Sequence, residues 1–228
     1  MKLPEGGMNQ SRVVPLFPLN VVLFPGQALP LHIFEPRYRL MIDRCLVERL
    51  PFAINLIQSG QEVDGPAEPF ATGTLAEISD VARLPDGRMH ILVTGSRRVR
   101  LVEQVPGEPY AQARIEILPE GDLEVSQEIF AKARELFSEY SRTLLKLANV
   151  PVVVHFPDDP AEASYIIASM LQTDLFTKQA LLELPGAGER LTQEVRLLET
   201  EVDRLKEFAA GMGDKGFFYY RGKRFSLN

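Results

Sequence analysis

The sequence contains few of the residues that build metal centres and disulfide frameworks. Its 228 residues include one cysteine, three histidines and no tryptophan. The single cysteine, Cys45, excludes an internal disulfide and a zinc site made of several thiolates. The histidines, His32, His90 and His155, are far apart and never have the His-x-x-x-His spacing of a helical metal site. The sequence therefore predicts no metal site.

Long apolar runs and nucleotide-binding loops are also missing. No segment approaches the roughly 20 apolar residues that a membrane-spanning helix needs, and the N-terminus has no apolar signal-peptide core. The phosphate-binding pattern Gly-x-x-x-x-Gly-Lys-[Ser/Thr] is absent, because no suitable glycine precedes the single Gly-Lys pair at 222–223. The Gly-x-Ser-x-Gly nucleophile elbow is absent as well. We therefore expect a cytoplasmic protein with no cofactor and no hydrolase motif.

The charge is moderately negative and unevenly distributed. A formal net charge of −6 at pH 7 disfavours a protein built mainly to hold nucleic acid. Basic residues are concentrated in the C-terminal segment 214–228 and in the cluster Arg97, Arg98 and Arg100. In a strand, Arg98 and Arg100 would share one face. We interpret the cluster as exposed arginines that pair with acidic neighbours, with an RNA contact as the alternative.

Residues 12–118 have the pattern of short β-strands with one helix. Proline at positions 15, 18, 25, 30 and 36 breaks any long helix and separates short apolar segments. The predicted strands cover residues 13–17, 21–24, 29–34, 51–58, 74–78, 81–84, 90–94, 98–102 and 111–118. One helix begins near Pro36, and its predicted inner face carries Tyr38, Met41, Ile42, Cys45 and Leu46.

From about residue 122 the apolar spacing becomes helical. The predicted helices cover residues 123–147, 160–171, 173–184 and 191–209, and Asp159 and Thr173 are the expected N-caps of the second and third. Apolar residues at 191, 195, 198, 202, 205 and 209 form a heptad seam, which we expect to pack in a bundle rather than a coiled coil. We therefore divide the chain into a β domain with one helix (1–119), an α-helical bundle (120–210) and an aromatic, basic tail with a hairpin pattern (211–228).

Several motifs of the β half, taken in order, resemble the N-terminal domain of Lon proteases. They are VPLFPLNVVLFPG at 14–26, LPLHIFEPRY at 29–38, GTLAEI at 73–78, ILVTGSRR at 91–98 and PYAQARIE at 109–116. The helical half is similar to the region that follows in Lon, at KQALLE (178–183) and Arg190-Leu191. The resemblance implies an α+β fold in which a PUA-like β pseudo-barrel is followed by an α-helical bundle.

The resemblance also implies a function. In Lon proteases this region engages substrate polypeptides ahead of the ATPase and Ser–Lys peptidase domains, which would need several hundred more residues. We therefore expect a free-standing, non-catalytic module that binds unfolded or tagged proteins, or that acts as an adaptor for a separate protease. The first alternative is an RNA-binding PUA-like protein. The second is a hydrolase or small-molecule receptor, which would require a deep pocket with converging polar groups and for which the sequence offers no motif.

A polypeptide receptor needs exposed apolar surface. The candidate contact residues lie near the Pro-Gly bends of the β half and in the C-terminal tail: Phe17, Phe24, Pro25, Gly26, Phe34, Tyr38, Phe217, Phe218, Tyr219 and Tyr220. The competing interpretation of each strand aromatic is burial in the barrel core. The tail aromatics are candidates to cover a groove of their own barrel, to dock a partner, or to pair copies in a weak homo-oligomer.

Overall fold

A computed structural model describes residues 11–60, 67–106, 109–121, 124–151 and 154–212. Residues 209–212 are described by their backbone alone. The fold is α+β, with a mainly antiparallel sheet in the first half of the chain and mainly helices in the second. The elements are β1 (Arg12–Leu19), β2 (Ala28–Ile33), α1 (Pro36–Glu48), β3 (Phe52–Gly60), β4 (Ala67–Pro69), β5 (Thr72–Arg83), β6 (Met89–Val105), β7 (Gln112–Ile117), α2 (Gln127–Leu147), α3 (Pro160–Met170), α4 (Leu175–Glu183) and α5 (Ala187–Met212). None of these helices is long and apolar enough to cross a membrane.

The chain divides into two compact units. The first comprises Met1–Pro119 together with Asp174–Glu183, and the second comprises Glu120–Thr173 together with Leu184–Asn228. All the strands named above belong to the first unit, as do α1 and α4. The helical spacing of the sequence groups residues 174–183 with the other helices, whereas in the structure α4 contacts β5. Apolar spacing shows that a helix has a buried face but not which element covers that face.

The strands of the first unit follow a closed path. β6 pairs with β5 and β7, β7 continues to β1, and β5 continues to β3. β1 and β3 then pair in parallel, with Leu16 opposite Ala53 and Leu19 opposite Leu56, so that the path returns to its first strand. β4 extends the sheet beyond β3, and β2 pairs with β6.

The inner face of this sheet and helix α1 share an apolar core. The predicted inner face of α1 is confirmed for Tyr38, Met41, Ile42 and Cys45, which are buried against residues of β1, β2, β3 and β6. Burial raises the pKa of the Cys45 thiol to about 11, since it penalises the thiolate. Cys45 therefore fills the core as an uncharged thiol.

Two pairs of predicted strands are single long strands. β5 contains the predicted segment 74–78 and all but the last residue of 81–84, and β6 contains 90–94 and 98–102. The register between them shifts at Thr74/Ala76 and at Ile78/Asp80. An extra residue at such a shift bends a strand without ending it, so an interruption of the apolar pattern does not mark a turn there.

The predicted strand at 21–24 is instead part of a bend. The backbone N–H of Phe24 donates to the side-chain oxygen of Gln27 at 3.0 Å, and the N–H of Gln27 donates to the carbonyl oxygen of Phe24 at 3.1 Å. Gly26 between them has φ +79°, a conformation that favours glycine. Pro25-Gly26 therefore reverses the chain before β2 begins.

Helices α2, α3 and α5 form the second unit. The apolar seam of α5 is buried at Leu191, Val195, Leu198, Val202 and Leu205, and α5 contacts α2 and α3. Asp159 caps α3 as predicted, because its carboxylate accepts the N–H of Glu162 at 2.8 Å.

Candidate functional site

Three of the predicted contact aromatics fill the core of the first unit. Phe17, Phe24 and Tyr38 are all buried, and the ring centroids of Phe17 and Tyr38 are 4.1 Å apart. Phe17 of β1 and Tyr38 on the inner face of α1 belong to the same apolar core. The competing interpretation of core burial therefore holds for these residues, and none of them forms an exposed anchor.

The other predicted candidates lie at the bend, after β2 and in the tail. Pro25 is half-buried and Gly26 is exposed at the bend that precedes β2. Phe217, Phe218, Tyr219 and Tyr220 lie outside the described residues, so their contribution stays a prediction.

Phe34 is the exposed aromatic among the described candidates. It follows β2 directly, and 48% of its surface is accessible. Its ring centroid lies 5.7 Å from that of His32. His32 in turn stacks on His90 of β6, with a centroid distance of 4.7 Å and an interplanar angle of 20°. The three rings make a continuous aromatic surface.

Neighbouring exposed residues of β2 and β6 extend this surface. Pro30 lies opposite Leu92 in the antiparallel register, as His32 lies opposite His90. Leu92 is 38% exposed, a high value for a leucine in a central strand. We refer to the surface formed by Pro30, His32, Phe34, His90 and Leu92 as the β2–β6 face.

The opposite side of the same two strands is the core. Leu29, Ile33, Met89, Ile91 and Val93 are buried. Side chains alternate between the two faces of a strand, so the apolar residues at odd positions turn the even positions outward. This alternation was available in the sequence and would have placed Pro30, His32, His90 and Leu92 on one exposed face.

The arginine cluster does not form a single basic patch. Arg98 and Arg100 lie on one face as predicted, but Arg98 is buried. Its guanidinium donates to the carbonyl oxygens of Leu182 in α4 at 3.0 Å and of Pro119 at 3.2 Å. The prediction of an exposed Arg98 is therefore wrong, because α4 covers that position. Arg97 and Arg100 are exposed, and the buried guanidinium is not available to a phosphate.

The comparison with protein families identifies the chain. Residues 13–200 match the model of the ATP-dependent protease La (LON) substrate-binding domain. The chain belongs to this family. The resemblance of the motifs between Val14 and Glu116 to Lon is thereby confirmed.

Curated relatives and solved structures agree with this assignment. The chain is 31% identical to Lon protease 2 of Herpetosiphon aurantiacus over 199 residues, which cover 85% of the chain and 24% of the relative. It is 30% identical to Lon protease 1 of Thermus thermophilus over 203 residues, 85% of the chain and 25% of the relative. The chain thus spans about a quarter of the length of these relatives.

Among solved structures, the Lon N-terminal domain protein of Xanthomonas campestris matches with a TM-score of 0.62 and 27% identity, over 80% of this chain and 96% of that one. The N-terminal domain of the Mycobacterium avium complex Lon protease matches with a TM-score of 0.64 over 82% of this chain and 98% of that one. The two sequences are 20% identical, so this match supports a similarity of fold alone.

The second unit of this Lon-family chain contains a buried ionic cluster that its helical spacing does not predict. Arg190 is fully buried and donates to the Ser164 hydroxyl at 2.8 Å and to a Glu120 carboxylate oxygen at 2.5 Å. Its guanidinium also lies 4.0 Å from the centroid of the Tyr165 ring, and the Tyr165 hydroxyl donates to the other Glu120 oxygen. These groups satisfy one another, which is the pattern of a structural cluster. Within the described residues, no three or more His, Cys, Asp or Glu side chains are grouped to hold a metal ion.

Glu194 lies one helical turn after Arg190 and is also fully buried. Within the described part of the chain, neither of its carboxyl oxygens has a hydrogen-bond partner. Burial raises its pKa well above the ordinary value of 4.5, and the charge of Arg190 opposes this in part. Folding therefore favours the protonated, uncharged form of this acid relative to the unfolded chain.

We expect Glu194→Gln to make stability less dependent on pH. A carboxyl whose pKa is raised by folding contributes stability that is fully present below pH 4.5 and is lost as pH rises through its folded pKa. Between pH 5 and pH 8 the free energy of unfolding of the wild type should fall relative to that of the glutamine variant, because the glutamine does not ionise. The expected fall is about 1.4 kcal/mol for each unit by which folding raises the pKa within that range. Urea titrations from pH 5 to pH 9 measure the difference, with Glu199→Gln on the exposed face of α5 as the control. A constant difference across this range would contradict a raised pKa.

Proposed function

We propose that this chain recognises substrate proteins by binding their polypeptide segments on the β2–β6 face. The observation that carries the proposal is the exposed aromatic surface of Phe34, His32 and His90 on a Lon substrate-binding domain. A receptor for unfolded segments needs apolar area that stays exposed in the absence of ligand. Phe34 and Leu92 provide it from a sheet whose other face is a packed core.

Phe34 is the anchor of this surface. Aromatic side chains contribute much of the energy of protein interfaces, because they bury a large apolar area with few rotatable bonds. The imidazoles of His32 and His90 extend its contact area and accept or donate hydrogen bonds to a passing backbone. Pro25 and Gly26, at the bend before β2, are further candidate contacts.

The wider role is proposed from the family. The closed strand path of the first unit supports the proposal of a PUA-like pseudo-barrel, and the packing of α5 against α2 and α3 supports the proposal of a helical bundle. The module itself is non-catalytic and acts in the cytoplasm on unfolded or tagged proteins, either directly or as an adaptor for a separate protease. The tail aromatics at 217–220 are candidates for a weak contact between copies.

We expect Phe34→Ser to weaken polypeptide binding about tenfold. Truncation of a central aromatic costs on the order of 1–2 kcal/mol, and 1.4 kcal/mol corresponds to a factor of ten in affinity. The measurement is fluorescence anisotropy of a labelled, reduced and carboxymethylated lactalbumin, which cannot refold, titrated with the full chain. Val47→Ser is the matched control, because Val47 is 85% exposed on α1 and lies outside the β2–β6 face.

Two results would contradict the proposal. Equal weakening by Val47→Ser and Phe34→Ser would show that binding does not use the β2–β6 face. Absence of polypeptide binding, together with binding of single-stranded RNA whose log affinity falls steeply with log salt concentration, would favour the RNA alternative.

A further inference from the structure

Strand β2 has an unpaired backbone edge beside the β2–β6 face. Among the described strands, β2 is hydrogen-bonded to β6 alone. A strand at the edge of a sheet presents backbone N–H and C=O groups that can pair with another extended chain. The edge runs from Ala28 to Ile33.

The hydrogen bonds at Gly95 determine which groups of β2 point outward. Gly95 accepts from the N–H of Gly26 at 2.8 Å and donates to the carbonyl oxygen of Gln27 at 2.9 Å. Hydrogen-bonded and non-hydrogen-bonded pairs alternate along an antiparallel ladder. Because Gln27 is hydrogen-bonded to Gly95, the next pair along the ladder, Ala28–Thr94, is non-hydrogen-bonded. The same holds for every second pair after it, which are Pro30–Leu92 and His32–His90. Their members on β2 direct their backbone polar groups away from β6.

Two further observations agree with this assignment. Pro30 has no N–H and cannot exchange two hydrogen bonds with Leu92, and proline in a strand is placed where its nitrogen faces away from the sheet. On the other side of β6, Leu84 N donates to the Arg88 carbonyl oxygen at 2.8 Å. By the same alternation His90 is hydrogen-bonded towards β5, so its backbone groups do not point to β2.

We propose that an extended segment of the polypeptide substrate adds to β2 as an additional strand. Its backbone would pair with the outward N–H groups of Ala28 and His32 and with the outward carbonyl oxygens of Ala28, Pro30 and His32. Alternate side chains of the segment then lie on the β2–β6 face, next to Phe34. The inference rests on the proposed function and adds the binding mode and the substrate class, which is an extended segment with apolar residues at alternate positions.

Pro30 has a defined role in this mode. It removes one donor from the middle of the edge, so an incoming strand is left without one backbone hydrogen bond. Proline at an edge limits pairing between copies of a protein. It therefore keeps the edge open to substrate while lowering the affinity for any single extended segment.

The decisive experiment restores the missing donor. Pro30→Ala adds an outward N–H, and we expect the labelled, carboxymethylated lactalbumin to bind about threefold to tenfold more tightly, the gain of one hydrogen bond. The variant also removes apolar area from the β2–β6 face. Contact through side chains alone therefore predicts the opposite sign, equal or weaker binding.

The second experiment removes a donor. His32→Pro deletes an outward N–H without deleting a hydrogen bond to β6, and His32→Ala is the matched control, because it loses the ring but keeps the N–H. We expect His32→Pro to bind about threefold to tenfold more weakly than His32→Ala. Thermal unfolding verifies that each variant is folded.

The outcomes separate the binding mode from the function. Binding by the wild type with no gain in Pro30→Ala would overturn strand addition and leave polypeptide recognition intact. If the wild type does not bind the carboxymethylated lactalbumin at all, the proposed function itself is refuted. Concentration-dependent dimerisation of Pro30→Ala in sedimentation velocity, with unchanged lactalbumin affinity, would assign the edge to a second copy of the chain and overturn the inference.

Discussion

Arg190→Met is expected to lower the free energy of unfolding by about 2–4 kcal/mol, somewhat less than the loss of one partner from a fully buried ion pair, because the Glu120 side chain is 23% exposed. The side chain of Arg190 is fully buried, and its donors reach Ser164, Glu120 and the carbonyl oxygen of Leu184. Methionine fills similar volume but donates nothing. The buried Ser164 hydroxyl then loses its donor where water does not easily replace it, whereas Glu120 is partly reached by solvent. Urea unfolding followed by circular dichroism measures the loss.

Two controls define what this result means. Arg204→Met removes an exposed pair with Glu201 on the same helix and should cost less than about 1 kcal/mol. Arg190→Lys keeps the charge but not the planar fork, and should recover only part of the loss, because an ammonium group does not reproduce several directed N–H donors at once. A loss for Arg190→Met no larger than that for Arg204→Met would show that the cluster contributes little to stability.

The sequence correctly predicted those features that depend on residues close together along the chain. The inner face of α1, the cap at Asp159 and the buried seam of α5 all follow from residues three or four positions apart. The cap of α4 shows that local spacing does not fix the first residue of a helix. Asp174, and not the predicted Thr173, caps α4, since its carboxylate accepts the N–H and the hydroxyl of Thr177. These bonds also hold the pKa of Asp174 below its ordinary value.

The candidate site depended on information that is only partly local. The inward turn of Leu29 and Ile33 fixes the outward turn of Pro30 and His32, and this alternation is visible in the sequence. The stacking of His32 on His90 is not visible there, since it requires the register of two strands that are 58 residues apart at this pair. Arg98 is a stronger case, because its partner Leu182 lies 84 residues away. Contacts between residues far apart in the sequence therefore determine that Arg98 is buried while Arg97 and Arg100 are exposed.

Gly95→Ala is expected to destabilise the first unit by about 3 kcal/mol, at the upper end of the cost of overpacking. A Cβ atom on Gly95 would lie 2.3 Å from the carbonyl oxygen of Phe24 and 3.0 Å from its carbonyl carbon. Both atoms belong to backbone, so no side-chain rotation relieves the contact. Gly95 is also hydrogen-bonded to Gly26 and Gln27, and retreat of either segment would break the bonds that position the bend at the start of β2.

The measurement combines stability with local exchange. Urea unfolding gives the global loss, and amide hydrogen exchange should show faster exchange at Gly26, whose N–H donates to Gly95. Gly188→Ala is the matched control, because its new Cβ would meet the carbonyl oxygen of Glu124 at 3.3 Å and nothing closer. We expect this control to change stability by less than about 1 kcal/mol, since the gain in helix propensity offsets the close contact. Equal effects of the two substitutions would mean that the bend yields easily. The first pairs of β2 with β6 would then not depend on the close approach of Gly95 to Phe24.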